Sequence, residues 1–179
     1  MSEASNCMEA NNNFNEIIKA HQQKIYRIVF SLVRNEAETD EIVQQTFVLA
    51  FKCLKKFRGD SSIETWLIRI ALNNTRTYFR KRKFLSFFYD VDGKTEDIKD
   101  ETQNTEKAVE NEAVKKRIAK ALTKLPFRQK EVFVMKHING LSITEISIIL
   151  GIAEGSVKAN IFKAIKNLRK YLEDFNEMR

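Results

Sequence analysis

Residues 141–158 read LSITEISIILGIAEGSVK, and this stretch decides how the C-terminal part of the chain folds. Ser142 followed by Glu145 has the spacing of a capping box, which predicts that a helix begins here. Gly151 should end that helix after about two turns, because glycine readily adopts the left-handed conformation found at helix C-termini. A second helix is predicted from Glu154 to about residue 175. Two helices joined by a short glycine-containing turn form a helix-turn-helix unit.

The second helix of this unit has an apolar side and a polar, basic side. The apolar side is predicted to carry Val157, Ile161, Ala164, Ile165, Leu168 and Leu172. A recognition helix enters the major groove of DNA with its N-terminal residues on the base edges. The candidate DNA-contacting residues are Glu154, Ser156, Lys158, Ala159, Asn160 and Lys163. An ordinary helical hairpin is the alternative, but the capping box, the glycine turn and the positive charge of this block favour DNA binding.

Two further helices are predicted before the helix-turn-helix. The amphipathic pattern at 109–125 predicts the first, Pro126 ends it, and Asn139 with Gly140 ends the second. The second should bury Val132, Phe133, Met135 and Ile138. The chain has one proline and five glycines, and the short alternating runs typical of strands are missing. The predicted fold class is therefore all-α.

The N-terminal block at 14–83 also has helical spacing, whereas residues 1–13 are polar and are expected to be disordered. A first helix starts at Phe14, with apolar residues three and four positions apart. A second helix, from about Thr39 to Phe57, has a predicted buried side of Val43, Phe47, Ala50, Phe51 and Leu54. Ile42, Val48 and Leu49 are apolar and lie off that side. They indicate either that the helix is central to the core or that it exposes an apolar patch for a binding partner. The central position is the default interpretation.

A third helix is predicted after the loop at 59–62, with Ser61 and Glu64 as its capping box. Its expected buried side is Trp66, Leu67, Ile70 and Ala71. Its polar positions are Asn73, Asn74, Arg76, Thr77, Arg80, Lys81, Arg82 and Lys83, with Tyr78 and Phe79 among them. Asparagine and arginine pair with base edges or phosphates, and aromatic rings stack on unpaired bases. Cations also favour a helix C-terminus, but four in succession exceed what that end requires, so this helix is a candidate DNA-binding element.

Charge divides the chain into three parts. Residues 1–83 contain 14 Lys and Arg against 9 Asp and Glu, residues 84–106 contain 2 against 7, and residues 107–179 contain 15 against 8. The two basic blocks suit a polyanion, because phosphate contacts release condensed counterions. The acidic stretch predicts a flexible linker at 84–106 between two small helical domains, at 14–83 and 107–179.

Several classes of function find no support in the sequence. Cys7 and Cys53 are far apart, and His21 and His137 have no partner at ligand spacing, so neither a metal nor another cofactor is predicted. Carboxylates such as Asp40 have no nucleophile or glycine-rich phosphate loop beside them, so the chain is not expected to be an enzyme. The start has no leader-peptide pattern and no apolar run could span a bilayer, which predicts a cytoplasmic protein without membrane insertion.

Strings in both blocks resemble the extracytoplasmic-function (ECF) sigma factors of bacterial RNA polymerase. EIVQQTF at 41–47, FRGDSS at 57–62 and TWLIRIALN at 65–73 are similar to region 2 of that family, within residues 39–83. Residues 119–172 resemble region 4 through Leu125-Pro126, Gly140-Leu141-Ser142, Glu145-Ile146, Ile149-Leu150-Gly151 and Gly155-Ser156-Val157-Lys158. Both sets occur in the order that the family has.

The resemblance implies a subunit that gives RNA polymerase its promoter specificity, with core polymerase and promoter DNA as partners. It leaves room for an anti-sigma factor as a further partner. The clamp helices of the largest polymerase subunit would bind Glu41, Ile42, Gln44, Gln45 and Val48, and the polymerase flap would be another contact. The −10 element would be opened and read by Ser61, Ser62, Trp66, Asn73, Asn74, Arg76, Thr77, Arg80 and Lys81. The helix-turn-helix would read the −35 element.

Three positions depart from the family pattern. Glu41 stands where the family usually has aspartate, and Asn160 and Lys163 stand where it commonly has arginine. Asparagine supplies no cation and lysine lacks the bidentate fork of arginine. The family's −35 contacts therefore cannot be transferred to these last two positions.

Two other functions account for part of the pattern. A regulator that binds operators as a dimer would contact duplex DNA without polymerase, and it would need no basic, aromatic helix in the first block. A sigma mimic that sequesters a regulator should lack the cations at 76–83, which are present.

Overall fold

A computed structural model of the chain describes the backbone over residues 3–89 and 117–177, and side-chain environments over 14–84 and 117–173. The chain divides into two compact units, whose described parts are 3–89 and 117–177. Every regular element in these ranges is helical, which confirms the predicted all-α fold with two small domains. The predicted linker from residue 90 onwards, and the predicted helix before residue 117, lie outside the described residues.

Three helices pack against one another in the first unit: α1 (Glu3–Val33), α2 (Glu36–Cys53) and α3 (Ile63–Tyr89), with a short 3-10 turn at Leu54–Lys56. The predicted apolar side of α1 is confirmed, with Phe14, Ile25, Ile28, Val29 and Leu32 buried. The prediction that residues 1–13 are disordered is wrong for the backbone from Glu3 onwards, which is helical. No glycine or proline precedes Phe14, and extending a helix that already exists costs far less than nucleating one.

The buried side of α2 differs from the predicted one. It consists of Thr39, Ile42, Thr46, Phe47 and Ala50, whereas Phe51 is 45% exposed. Thr39 Oγ1 donates to the carbonyl of Asn35, and Thr46 Oγ1 donates to the carbonyl of Ile42, each at 2.7 Å. Because these hydroxyls are hydrogen-bonded, they can be buried at little cost. A pattern that counts threonine as polar places the buried side one position away.

The start of α3 lies one residue beyond the predicted one. Ser62, not Ser61, caps the helix, since its Oγ accepts a hydrogen bond from the backbone N–H of Thr65 at 3.1 Å. The predicted capping partner, Glu64, instead accepts a hydrogen bond from Lys24 Nζ on α1 at 2.5 Å. This ion pair fixes the beginning of α3 against α1.

The end of α3 also differs from the prediction. The helix runs to Tyr89, so residues 84–89 of the predicted linker are helical. The sequence between Ile63 and Tyr89 contains neither glycine nor proline, and nothing in it stops the helix.

The second unit contains α4 (117–123), α5 (Phe127–Phe133), α6 (Ile143–Leu150) and α7 (Glu154–Glu177). Its buried cluster joins α4 to α7 through Ala121, Leu122, Leu125, Ala164 and Leu168, with Phe133, Tyr171 and Leu172 packed against it. Pro126 precedes α5 as the sequence predicts. Pattern and structure agree because this core uses the three-and-four spacing of an amphipathic helix.

A π-helical turn at Val134–Ile138 follows α5. The backbone N–H of Asn139 reaches back five residues to the carbonyl of Val134, at 3.0 Å. The wider turn rotates the end of the helix. The prediction that Ile138 is buried is therefore wrong, since it is 49% exposed, whereas Met135 is fully buried.

The helix-turn-helix formed by α6 and α7 is confirmed. Ser142 Oγ accepts from the backbone N–H of Glu145 at 3.1 Å, and the backbone N–H of Ser142 donates to Glu145 Oε2 at 2.7 Å. Gly151 ends α6 with a φ of 64°, a left-handed conformation in which other residues are strained. Ile146, Ile149 and Val157 are buried at the junction of the two helices.

Candidate functional site

The exposed side of α2 is an apolar and polar patch on the first unit. Val48, Leu49 and Phe51 are 46%, 41% and 45% exposed. Gln44 and Gln45 are exposed beside them, and Gln45 Nε2 donates to Glu41 Oε1 at 2.9 Å. Exposed apolar side chains grouped in this way are typical of a protein-binding surface. We call Glu41, Gln44, Gln45, Val48, Leu49 and Phe51 the α2 patch.

Ile42 does not belong to this patch. It is only 3% exposed and packs in the core, so the structure does not present it on the surface that was predicted to contact polymerase. Its apolar character reflects the rotated buried side of α2. The other four residues of the predicted set are all exposed.

The N-terminal half of α2 is acidic, with Glu36, Glu38, Asp40 and Glu41 close together. Burial, followed by the charges of Asp40 and Glu36, raises the pKa of Tyr26 on the facing helix above its ordinary value. This phenol therefore stays neutral at physiological pH. The acidic stretch borders the α2 patch and suits a partner that has basic residues at its edge.

A groove between α1 and α2 opens beside the α2 patch. Its apolar lining comes from Phe14, Val43, Phe47, Val48 and Phe51. The rings of Phe14 and Phe51 meet edge to face, with centroids 5.1 Å apart. The groove extends the apolar surface of the patch towards α1.

The outward side of α3 presents a polar and then basic row. Asn73, Thr77, Arg80 and Phe84 follow at spacings of four, three and four, which places them on one side of the helix. Arg76 Nη1 donates to Asn73 Oδ1 at 2.9 Å, and Arg82 Nη1 donates to the hydroxyl of Tyr78 at 3.0 Å. Arg80 and Lys81 are exposed. The row contains three of the nine residues that the sequence predicts for the −10 element, Asn73, Thr77 and Arg80.

The side chain of Asn74 points towards α2, whereas that of Asn73 points outward. Its Nδ2 donates to the buried Oγ1 of Thr46 on α2, at 3.1 Å, and its side chain is half-buried. This hydrogen bond ties α3 to α2. It uses one of the amide donors that a base contact would need.

The loop before α3 is held by its own contacts. Trp66 is half-buried and packs on Phe57, with ring centroids 5.1 Å apart. Ser61 is half-buried and Ser62 is exposed at the helix cap. Arg58 and Asp60 form an exposed ion pair at 3.1 Å. Trp66 therefore anchors the loop as well as bordering it.

Helix α7 exposes most of its predicted DNA-contacting residues. Those that are exposed are Glu154, Ser156, Lys158, Ala159 and Lys163, and the basic side continues with Lys166, Arg169 and Lys170. Asn160 is half-buried, and its Nδ2 donates to the carbonyl of Ser156 at 2.8 Å. Its amide is thus partly used within the helix, where the family commonly has a cation.

Two residues on this surface were missed by the sequence analysis. Phe162 on α7 is 71% exposed, and Thr144 on α6 donates to Glu154 Oε1 at 2.6 Å. The sequence could have indicated that Phe162 is exposed, since this residue lies off the apolar side of an otherwise regular amphipathic helix. The Thr144 contact joins residues ten positions apart and leaves no local pattern.

Over the described parts of the chain, no group of three or more His, Cys, Asp or Glu side chains is placed to hold a metal ion. In the same parts, no helix has both the length and the apolar character needed to cross a membrane.

The comparison with known families decides the identity. The family model for sigma-70 region 2 matches residues 17–84, and the model for sigma-70 region 4 matches residues 115–168. The ECF RNA polymerase sigma factor SigW of Bacillus subtilis is 32% identical over 168 residues, which is 90% of this chain and 89% of SigW. The chain belongs to the ECF sigma factors of the sigma-70 family. As such, this sigma factor directs promoter-specific initiation of transcription by RNA polymerase.

Other relatives support the same family. SigX of B. subtilis is 29% identical over 167 residues, covering 92% of this sigma factor and 86% of SigX. The sigma-E factor of Escherichia coli K12 is 29% identical over 157 residues, covering 84% and 82% of the two chains.

Two solved structures have the same fold. The sigma factor RpoE in complex with the anti-sigma factor NepR, from Bartonella quintana, superimposes with a TM-score of 0.72 at 21% identity, covering 90% of this sigma factor and 97% of that chain. CnrH in complex with the cytosolic domain of CnrY gives a TM-score of 0.66 at 26% identity, covering 92% and 90%.

Proposed function

We propose that the two units divide promoter recognition between them. The first unit binds core polymerase and opens the −10 element, and the second binds the −35 element. The observation that carries this proposal is that two helices of the first unit present surfaces of different chemistry, which adjoin where Glu41 and Gln45 lie beside Lys81. The α2 patch exposes the apolar side chains of Val48, Leu49 and Phe51, while the outward side of α3 carries Asn73 and Arg80. A protein partner and a nucleic acid can therefore be bound on different helices.

The α2 patch, through Glu41, Gln44, Gln45 and Val48, is the proposed contact with the clamp helices of the largest polymerase subunit. Exposed apolar side chains supply area to bury, and the glutamines supply hydrogen bonds at its edge. The flap of polymerase is the proposed contact of the second unit.

The row on α3 is the proposed −10 contact. Asn73 and Thr77 supply polar groups for base edges, and Arg80 and Lys81 supply phosphate contacts. Ser61, Ser62 and Trp66 are the proposed contacts for an unpaired base, next to this row. Arg76 positions Asn73 through its hydrogen bond, and Asn74 supports the row from behind.

The N-terminal half of α7 is the proposed −35 contact. Glu154, Ser156, Lys158, Ala159 and Phe162 lie where a recognition helix meets base edges. Lys163, Lys166 and Lys170 continue towards the phosphates, and Asn160 contributes through the part of its amide that is not bonded to Ser156. Each unit alone binds weakly, and attachment to the same polymerase raises the effective concentration of the second contact.

The proposal also covers the absence of catalysis, the cellular location and a further partner. The chain acts without catalysis of its own, because its work is to position polymerase and DNA. It acts in the cytoplasm, where both are found. An anti-sigma factor is a proposed further partner. It is supported by the structural neighbour RpoE, a sigma factor in complex with the anti-sigma factor NepR.

Run-off transcription with purified core polymerase on genomic fragments tests this function. We expect the protein to produce discrete transcripts whose mapped start sites share two upstream motifs. Transcripts that appear equally without the protein, or start sites with no common motif, would contradict the proposal.

A further inference from the structure

Thr144 and Glu154 face each other across the turn of the helix-turn-helix. Thr144 lies in the first turn of α6, and Glu154 is the first residue of α7. The Thr144 hydroxyl donates to Glu154 Oε1 at 2.6 Å, although both side chains are exposed. An exposed glutamate on a DNA-reading helix would ordinarily sample several rotamers.

The turn itself does not need this hydrogen bond. The N-terminus of α6 is already capped by Ser142 and Glu145. The turn is closed by two further bonds, Ser147 Oγ to the carbonyl of Ile152 at 2.6 Å, and the N–H of Ile152 to the carbonyl of Ser147 at 3.2 Å. The Thr144 contact therefore has a local effect, which is to hold one carboxylate in place.

The held carboxylate is placed to accept another hydrogen bond. Thr144 occupies Oε1 of Glu154, and no residue in the described parts of the chain donates to Oε2. An ionised carboxylate only accepts hydrogen bonds. In the major groove, cytosine N4 and adenine N6 donate, whereas guanine O6 and N7 and thymine O4 accept. A fixed carboxylate attracts the first group and repels the second.

We propose that Thr144 is a positioning residue that holds Glu154 to select a base with an exocyclic amine, cytosine first, at one position of the −35 element. The inference rests on the proposed function of α7. Preorganisation by Thr144 reduces the loss of side-chain freedom when the base is bound. Repulsion of keto bases gives specificity without adding general affinity for DNA.

Binding of the reconstituted holoenzyme to promoters that vary over all four bases at each −35 position tests the inference. Three variants are compared with the wild type: Thr144→Val, Thr144→Ser and Glu154→Gln. Glu173→Gln removes the same charge from an exposed position further along α7 and serves as the matched control. Thermal unfolding by circular dichroism checks each fold.

We expect the wild type to prefer cytosine over guanine and thymine by roughly tenfold at one position. Glu154→Gln and Thr144→Val should each reduce that preference to less than about threefold and leave other positions unchanged. Thr144→Ser and Glu173→Gln should retain it. Glu154→Gln should also bind sequences with keto bases more tightly, because a negative charge near DNA is removed.

Two outcomes overturn the inference separately from the proposed function. A holoenzyme that reads the −35 element with the same base profile after Thr144→Val excludes positioning by Thr144. If Thr144→Val weakens binding equally at every −35 position, Thr144 has a structural role instead. A holoenzyme indifferent to the whole −35 sequence would refute the proposed function, and this inference with it.

Discussion

The amide of Asn74 donates a hydrogen bond to the hydroxyl of Thr46, with 3.1 Å between Nδ2 and Oγ1, and Thr46 donates in turn to the carbonyl of Ile42. Thr46 is fully buried. This relay joins the proposed DNA-binding helix to the helix that carries the α2 patch. It assigns Asn74 a structural role, although its neighbour Asn73 faces outward on the same helix.

Asn74→Ala should lower the free energy of unfolding of the first unit by about 1–2 kcal/mol, because it removes one partner of a buried hydroxyl. The fluorescence of Trp66 during denaturation measures this, since the chain has a single tryptophan and it lies in this unit. Asn73→Ala is the matched control and should change stability by less than about 0.5 kcal/mol while weakening −10 binding. Unchanged stability together with an altered −10 preference would make Asn74 a base reader instead.

Helical spacing was sufficient to predict the all-α fold and the helix-turn-helix. The capping box of Ser142 and Glu145, the turn at Gly151 and the buried side of α7 all depend on neighbours within one or two turns. Because these interactions involve residues that are close together in the sequence, sequence patterns can identify them.

The errors arose where distant residues decide between local alternatives. Serine caps a helix equally well at position 61 or 62, so residue type does not decide between Ser61 and Ser62. Glu64 has the right spacing for a capping box with Ser61, but its carboxylate pairs with Lys24, which is 40 residues away in the sequence. The pattern left Ile42 between the core and a partner surface, because it placed the buried side of α2 one position away from where Thr46 and Ile42 lie. The identity of the outward residues on α2 therefore required the packed structure.

Val48 and Ile42 give a direct test of the α2 patch. Val48→Asp should abolish co-purification with core polymerase and change stability by less than about 1 kcal/mol, because the side chain is 46% exposed. Ile42→Ala should lower the free energy of unfolding by about 2–4 kcal/mol, because it leaves a cavity in the core. Gln23→Asp, at an exposed position on α1, is the charge control and should retain polymerase. Full binding by Val48→Asp would mean that polymerase uses another surface.

Arg80 and Lys81 are exposed cations on α3 and are the proposed phosphate contacts. Replacing both with alanine should weaken promoter-complex formation and reduce its dependence on salt. The slope of log affinity against log salt concentration is negative, and its magnitude should decrease by about 0.9 for each duplex phosphate contact that is lost. Lys55→Ala with Lys56→Ala removes the same charge from the exposed turn after α2 and should leave the slope unchanged. An equal decrease in both double variants would indicate a general charge effect.

Phe162 provides the sharpest separation of binding from stability in the second unit. A phenylalanine that is 71% exposed contributes little to the folded core, so Phe162→Ala should change the midpoint of thermal unfolding very little. On a helix in the major groove, the same ring can contact a thymine methyl group. Its removal should therefore weaken −35 binding by roughly fivefold or more, and the loss should disappear when the contacted thymine is replaced by uracil, which lacks the methyl group. Ile148→Ala, on the exposed side of α6, is the control for loss of apolar surface. Equal weakening on thymine and uracil promoters would show that Phe162 acts without the methyl contact.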